Sequence, residues 1–226
     1  ERYSEAVVYY ENAGTANLSP SALKQRQHNL ALAYASLQDL THYNELKSNL
    51  KLSPSDKYLE AVLDYMLGDY DKAKAAFSSP EIAKKYPEEV KFYSLEMDYL
   101  TGYKNTLSNK LQKTIASKDQ FKYKNLAHQL LGQLYLDQEN YKKANEQLLE
   151  YSKQGQTRQL DWYRLAYINY QRGDISACLR NLEHIRPGKD KLSQQTWHLT
   201  ALCHSMNDDL NKSYDALLEC VGTNQQ

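Results

Sequence analysis

The stretch Leu130 to Tyr151, LLGQLYLDQENYKKANEQLLEY, restricts the possible folds more than any other part of the chain. Leu131, Gly132 and Tyr135 recur at helical spacing, the polar run Asp137-Gln138-Glu139-Asn140 interrupts them, and Tyr141, Ala144, Leu148 and Tyr151 resume the same period. This is one helix, one turn and a second helix. The small residues Gly132 and Ala144 fall where the two helices would cross most closely, because a bulky side chain there would hold the axes beyond the usual ~8–10 Å. A lone hairpin of this kind leaves an apolar stripe on its flank, so it needs similar neighbours.

The neighbours follow in register. Trp162, Leu165 and Ala166 repeat His128, Leu131 and Gly132 after 34 residues, and Cys178 and Leu182 repeat Ala144 and Leu148 after the same interval. Trp197 and Ala201, then Leu210, Ser213 and Leu217, follow after a further 35 residues. Three units at this period are the signature of a stacked-repeat architecture. Their pattern of an aromatic, a Leu-small pair and a Tyr in one helix, then Ala and a large apolar residue in the next, resembles the tetratricopeptide repeat family. The resemblance implies an all-α fold: a right-handed α-solenoid of stacked antiparallel helix pairs.

Composition agrees with a thin helical stack. The chain has 226 residues, 41% of them hydrophobic, with only 5 Pro and 8 Gly, and its mean hydropathy is -0.78. That is too polar for one large spherical core but sufficient for helix pairs that bury one face each. The 28 basic and 28 acidic residues cancel, which argues against nucleic acid and anionic membrane surfaces as partners. No apolar run approaches the ~20 residues of a membrane span. Cys178, Cys203 and Cys220 have no metal-ligand spacing and are expected as buried thiols. Unpaired thiols lean toward a soluble protein of a reducing, cytoplasmic compartment, with a periplasmic or envelope location left open.

In chain order, Tyr3, Ala6, Tyr10 and Ala13 match a second helix, so the chain is expected to open halfway through a unit of a longer protein. Ser19-Pro20 and Ser53-Pro54 are helix starts, a Ser cap followed by Pro in the first turn. Helix pairs are expected over about 20–50, 54–78, 87–117, 125–153, 159–186 and 194–221, in a single solenoid covering 1–226. The second helix of the first pair should run to Leu50, with Tyr43 where Ala would be expected. Pro80 and Pro87 bracket a possible short helix, and Leu95 stands where the family prefers Gly or Ala. A small insertion is expected near Lys118-Asp119, Pro187-Gly188 should end one helix, and Gly222 to Gln226 should fray.

No catalytic constellation is present: there is no Gly-rich phosphate loop, His-Glu-x-x-His, nucleophile elbow or paired-Cys motif. His198, Cys203 and His204 lack metal-ligand geometry on one helix. The expected protein is therefore not an enzyme and has no cofactor or metal. Asn17-Leu18-Ser19 and Asn211-Lys212-Ser213 match glycan acceptors, a pattern too common to use.

Of the 25 aromatics, 20 are tyrosines. In the resembled family the first helices line a concave groove, and the positions there are Gln129, Gln133 and Leu136; Tyr163, Tyr167 and Tyr170; and His198, Leu202 and Met206. Extending the register backward adds Tyr58, Val62 and Tyr65, then Phe92 and Tyr99. Tyr163, Tyr167 and Tyr170 form a continuous i, i+4, i+7 stripe, either packed on the neighbouring unit or offered as anchors to a partner. The Lys/Asn clamp with which some family members hold chaperone tails is replaced here by Leu32, Val62, Gln133, Tyr167 and Leu202. The expected role is a protein-interaction scaffold that binds a peptide or helix of another protein, in an oligomeric state left open. The alternative is a peptide-sensing region controlling an output domain.

Overall fold

The computed structural model describes residues 2–14, 18–37, 39–47, 53–117, 120–155 and 157–222, which hold fourteen helices and no strand. Asn17 of the first glycan motif, the stretch from Ser48 to Leu50, Lys118-Asp119 and 223–226 lie outside the described residues. The helices gather into two compact units, Glu1–Thr101 and Gly102–Gln226.

The first unit holds α1 (Arg2–Asn12), α2 (Pro20–Ser36), α3 (Leu40–Lys47), α4 (Pro54–Met66), α5 (Tyr70–Phe77), α6 (Pro80–Lys85) and α7 (Pro87–Leu100). The two Ser-Pro starts behave as the sequence implies. Ser19 accepts a hydrogen bond from the Ala22 amide, and Ser53 forms a reciprocal capping box with Asp56. Asp56 also meets His28 Nδ1 at 2.7 Å, joining α4 to α2. Tyr43, in place of the expected Ala, is buried against Leu30, Ala31, Tyr34 and Leu63. The segment between Pro80 and Pro87 is a helix of its own, α6, which buries Ile82 among α4, α5 and α7. Around it, Tyr58 stacks on Tyr86 with ring centres 4.2 Å apart, and Phe77 stacks on Tyr93 at 5.0 Å. Tyr65 meets Tyr93 edge-on at 4.9 Å.

The second unit holds α8 (Lys104–Ala116), α9 (Lys124–Asp137), α10 (Tyr141–Ser152), α11 (Gln159–Gln171), α12 (Ile175–Leu182), α13 (Lys191–Met206) and α14 (Leu210–Gly222). α9 pairs with α10, α11 with α12 and α13 with α14. Between pairs, α10 packs on α11 and α12 on α13, while α8 covers α9. At the first crossing a Cβ added to Gly132 would stand 2.6 Å from Leu148 Cγ, so glycine there is a requirement of the close approach. The three turns share one left-handed residue, Glu139, Gly173 and Asp208, with φ of 56°, 77° and 56°. The next residue then caps the second helix: Asn140, Asp174 and Asp209 accept from the amides of Lys143, Ala177 and Lys212. Repetition therefore extends from the core to the turn chemistry.

Two expectations fail here. α12 stops at Leu182, well before Pro187-Gly188, and the chain leaves it through tight turns in which the His184 and Ile185 amides bond the Asn181 and Leu182 carbonyls. In α14 the buried residues are Ser213 and Ala216, whereas Leu210 and Leu217 lie exposed. A helical face is set by which neighbour is present, and α14 packs on α13 through its small residues. Cys178 and Cys203 are buried as expected; Cys220 is half-buried.

Candidate functional site

Tyr163, Tyr167 and Tyr170 project from one side of α11. All three are half-buried, packed on a cluster that includes Ala166, Ile175, Cys178, Leu199 and Cys203. Tyr163 is held above the ordinary tyrosine pKa, first by burial and then by the neighbouring Tyr167 and Cys178. Its hydroxyl stays protonated near neutral pH, able to donate and accept hydrogen bonds and unable to act as a nucleophile. Tyr167 also meets the ring of Tyr141 edge-on at 6.5 Å. The stripe thus serves inter-helix packing with part of its area and remains partly open with the rest.

Leu199 and Cys203 of that cluster belong to α13, so the stripe abuts the helix that carries the next set of predicted positions. There His198 is exposed, and Leu202 and Met206 are 36% and 56% exposed. These three lie at i, i+4 and i+8, one face of the helix. The described surface of α11 and α13 therefore runs from half-buried aromatic to exposed aliphatic side chains.

The other predicted positions are placed differently. Gln129 is buried, and its side-chain amide donates to the Asp161 carboxylate at 2.6 Å. Asp161 has no exposed area and also accepts from Arg158 Nε at 3.0 Å and Arg164 at 2.6 Å. Gln129 is thus a corrected position, joining α9 to α11 instead of facing a ligand. Sequence periodicity missed this because it registers apolar faces and is blind to a buried polar pair. Gln133 and Leu136 are half-buried. In the first unit, Tyr58, Val62 and Tyr65 pack on the aromatic cluster around Phe77, and Phe92 is buried. Burial, then the charge of Glu96, pushes the Tyr65 hydroxyl well up.

A second feature of α13 went unpredicted. Trp197, Thr196 and Thr200 line a cleft of about 390 Å3 together with Leu182, Ile185 and Pro187. The equivalent Trp162 stacks on His184 with ring centres 4.0 Å apart. Among the described residues no group of three or more His, Cys, Asp or Glu could hold a metal, and no helix is long and apolar enough to cross a membrane.

No family model and no curated protein sequence matches the chain. Solved structures do match it. PilF of Pseudomonas aeruginosa superposes with a TM-score of 0.61 at 13% identity, over 97% of this chain and 92% of that one. PilW, a widely conserved type IV pilus biogenesis factor, gives 0.60 at 13% over 86% and 90%. A tetratricopeptide repeat protein from Parabacteroides merdae gives 0.58 at 11% over 99% and 88%. At these identities the likeness speaks for the fold. By fold, the chain is a tetratricopeptide-like helical-repeat protein, an all-α solenoid.

Proposed function

We propose that the chain is a non-enzymatic interaction scaffold whose second unit binds an extended or helical segment of another protein along α11 and α13. The observation that supports this reading is the half-buried stripe Tyr163, Tyr167 and Tyr170, packed on a cluster to which α13 contributes Leu199 and Cys203, together with the exposure of His198, Leu202 and Met206 on α13. Rings already fixed by packing give up little conformational freedom on binding, and their hydroxyls satisfy a peptide backbone as they leave water. Leu202 and Met206 supply apolar area that has no other evident use, and Met adapts to the shape it meets.

The experiment is affinity capture with the chain, followed by titration of the captured partner against Tyr167→Ala and Leu202→Asp. Truncating an anchor of this type costs about 2 kcal/mol, or roughly 30-fold in Kd. Leu202→Asp changes an exposed side chain and so separates loss of binding from loss of folding. Undiminished affinity in both variants, with unaltered circular dichroism, would refute the proposal.

A further inference from the structure

We propose that Cys178 and Cys203 are a modification site, a thiol pair that closes into a reversible disulfide and ties α12 to α13. The two sulfurs stand 3.2 Å apart although the residues are 25 positions apart in sequence. Both have no exposed area, and both sit in the cluster formed by Ala166, Leu182 and Leu199. A disulfide needs about 2.05 Å between sulfurs, so closure asks for an approach of roughly 1 Å from side chains that already face each other. Cys220 takes no part, with its Sγ 3.5 Å from the Gln194 carbonyl oxygen.

The contact with Cys203, then burial, pushes the Cys178 thiol up. The attacking group is a thiolate, and at Cys203 it forms once a local opening lets the thiol ionise. The oxidant is a small-molecule disulfide. The Cys203 thiolate attacks one of its sulfurs, the reagent S–S bond breaks, and one reagent thiolate leaves. Cys178 then gives up its proton and attacks Cys203 in the mixed disulfide, which expels the second reagent thiolate. Two protein thiols become one protein disulfide, one reagent disulfide becomes two thiols, and both electrons pass from the protein sulfurs to the reagent.

Burial makes the reaction wait on a local separation of α12 from α13, so the oxidised and reduced chains should interconvert slowly under native conditions. Once formed, the bond would fix the joint between the last two helix pairs, beside Tyr163, Tyr167 and Tyr170, which pack on the same cluster. The site does not depend on the partner-binding proposal.

The test uses the whole chain carrying Cys220→Ser, incubated with oxidised glutathione in mild urea, then unfolded and alkylated. The expected result is loss of both alkylatable thiols, an intact mass lower by two hydrogens, and a digest containing a peptide that joins positions 178 and 203. Dithiothreitol should reverse all three. Tm should rise by about 5–15 °C on oxidation. A second chain, with Cys178→Ala and Cys203→Ala added, should keep its helical content and show no oxidant-dependent rise. Two thiols still alkylatable after oxidation would overturn the proposal. So would a product that stops at one bound glutathione, or an equal rise in the chain lacking both cysteines.

Discussion

The two units solve the same packing problem with different side chains. In the second, close crossings are made by small residues: Gly132 against Leu148, and Ala166 and Cys178 within one cluster. In the first, the space around Ala61 and Ala73 is filled by interlocked rings, Tyr58, Tyr65, Phe77, Tyr86 and Tyr93, with the added helix α6 among them. Small residues demand one distance, and the sequence repeats at intervals of 34 and 35 residues. Rings accept a range of distances and angles, so the period can slip without leaving a void. A loose period in a repeat protein thus signals a change of filling material and does not require a loss of packing.

The sharpest break of that contrast is Phe77→Ala. Phe77 is almost wholly buried between Tyr58 and Tyr93, and its removal should cost about 3–5 kcal/mol, with faster amide exchange in α4, α5 and α7. A loss below about 1 kcal/mol would mean the rings refill the space. Gly132→Leu should cost about 1–3 kcal/mol by driving α9 from α10, while Lys142→Ala, on the exposed side of α10, should stay within about 0.5 kcal/mol. Equal melting temperatures for these two would undo the account of the crossing. Glu139→Gly should stabilise by about 0.5–1 kcal/mol, because Glu139 holds a φ of 56° at the turn position that Gly173 fills in the next unit.

The smallest effect concerns His42 and Asp39, 2.8 Å apart. The hydrogen bond to Asp39 raises the His42 pKa above its usual 6.5, and the same contact lowers that of Asp39 below 3.8. The His42 contribution is full below 6.5 and fades as pH rises through its raised value. The Asp39 contribution is full above 3.8 and fades as pH falls through its lowered value. The pair is therefore at full strength between those limits. An NMR titration of His42 at or below its usual value would contradict this.

Helix class, period and capping were legible because each depends on local or near-neighbour spacing: Ser19-Pro20, Ser53-Pro54, Gly132 and the 34-residue interval. The failures arose where a residue's role depends on something distant. Gln129 was assigned to an open wall because its acid partner lies 32 residues on. Leu210 and Leu217 fall in register with the apolar positions of the earlier units, but apolar character does not reveal whether another helix covers them, and here none does among the described residues. The placement of Tyr58 and Tyr65 depends on the distant rings Tyr86 and Tyr93, whose packing no spacing rule supplies.

The buried Asp161 has a consequence for how the hairpins find one another. Greasy flanks of similar shape discriminate poorly among hairpins, so a chain of near-identical units can slide by a turn or skip a neighbour during assembly. Here a miscounted stack would part the buried Asp161 carboxylate from Gln129 of α9 and leave it with Arg158 and Arg164 of its own helix, in a dry environment where a lost partner is costly. One acid thereby proofreads the order in which α9 and α11 come to rest.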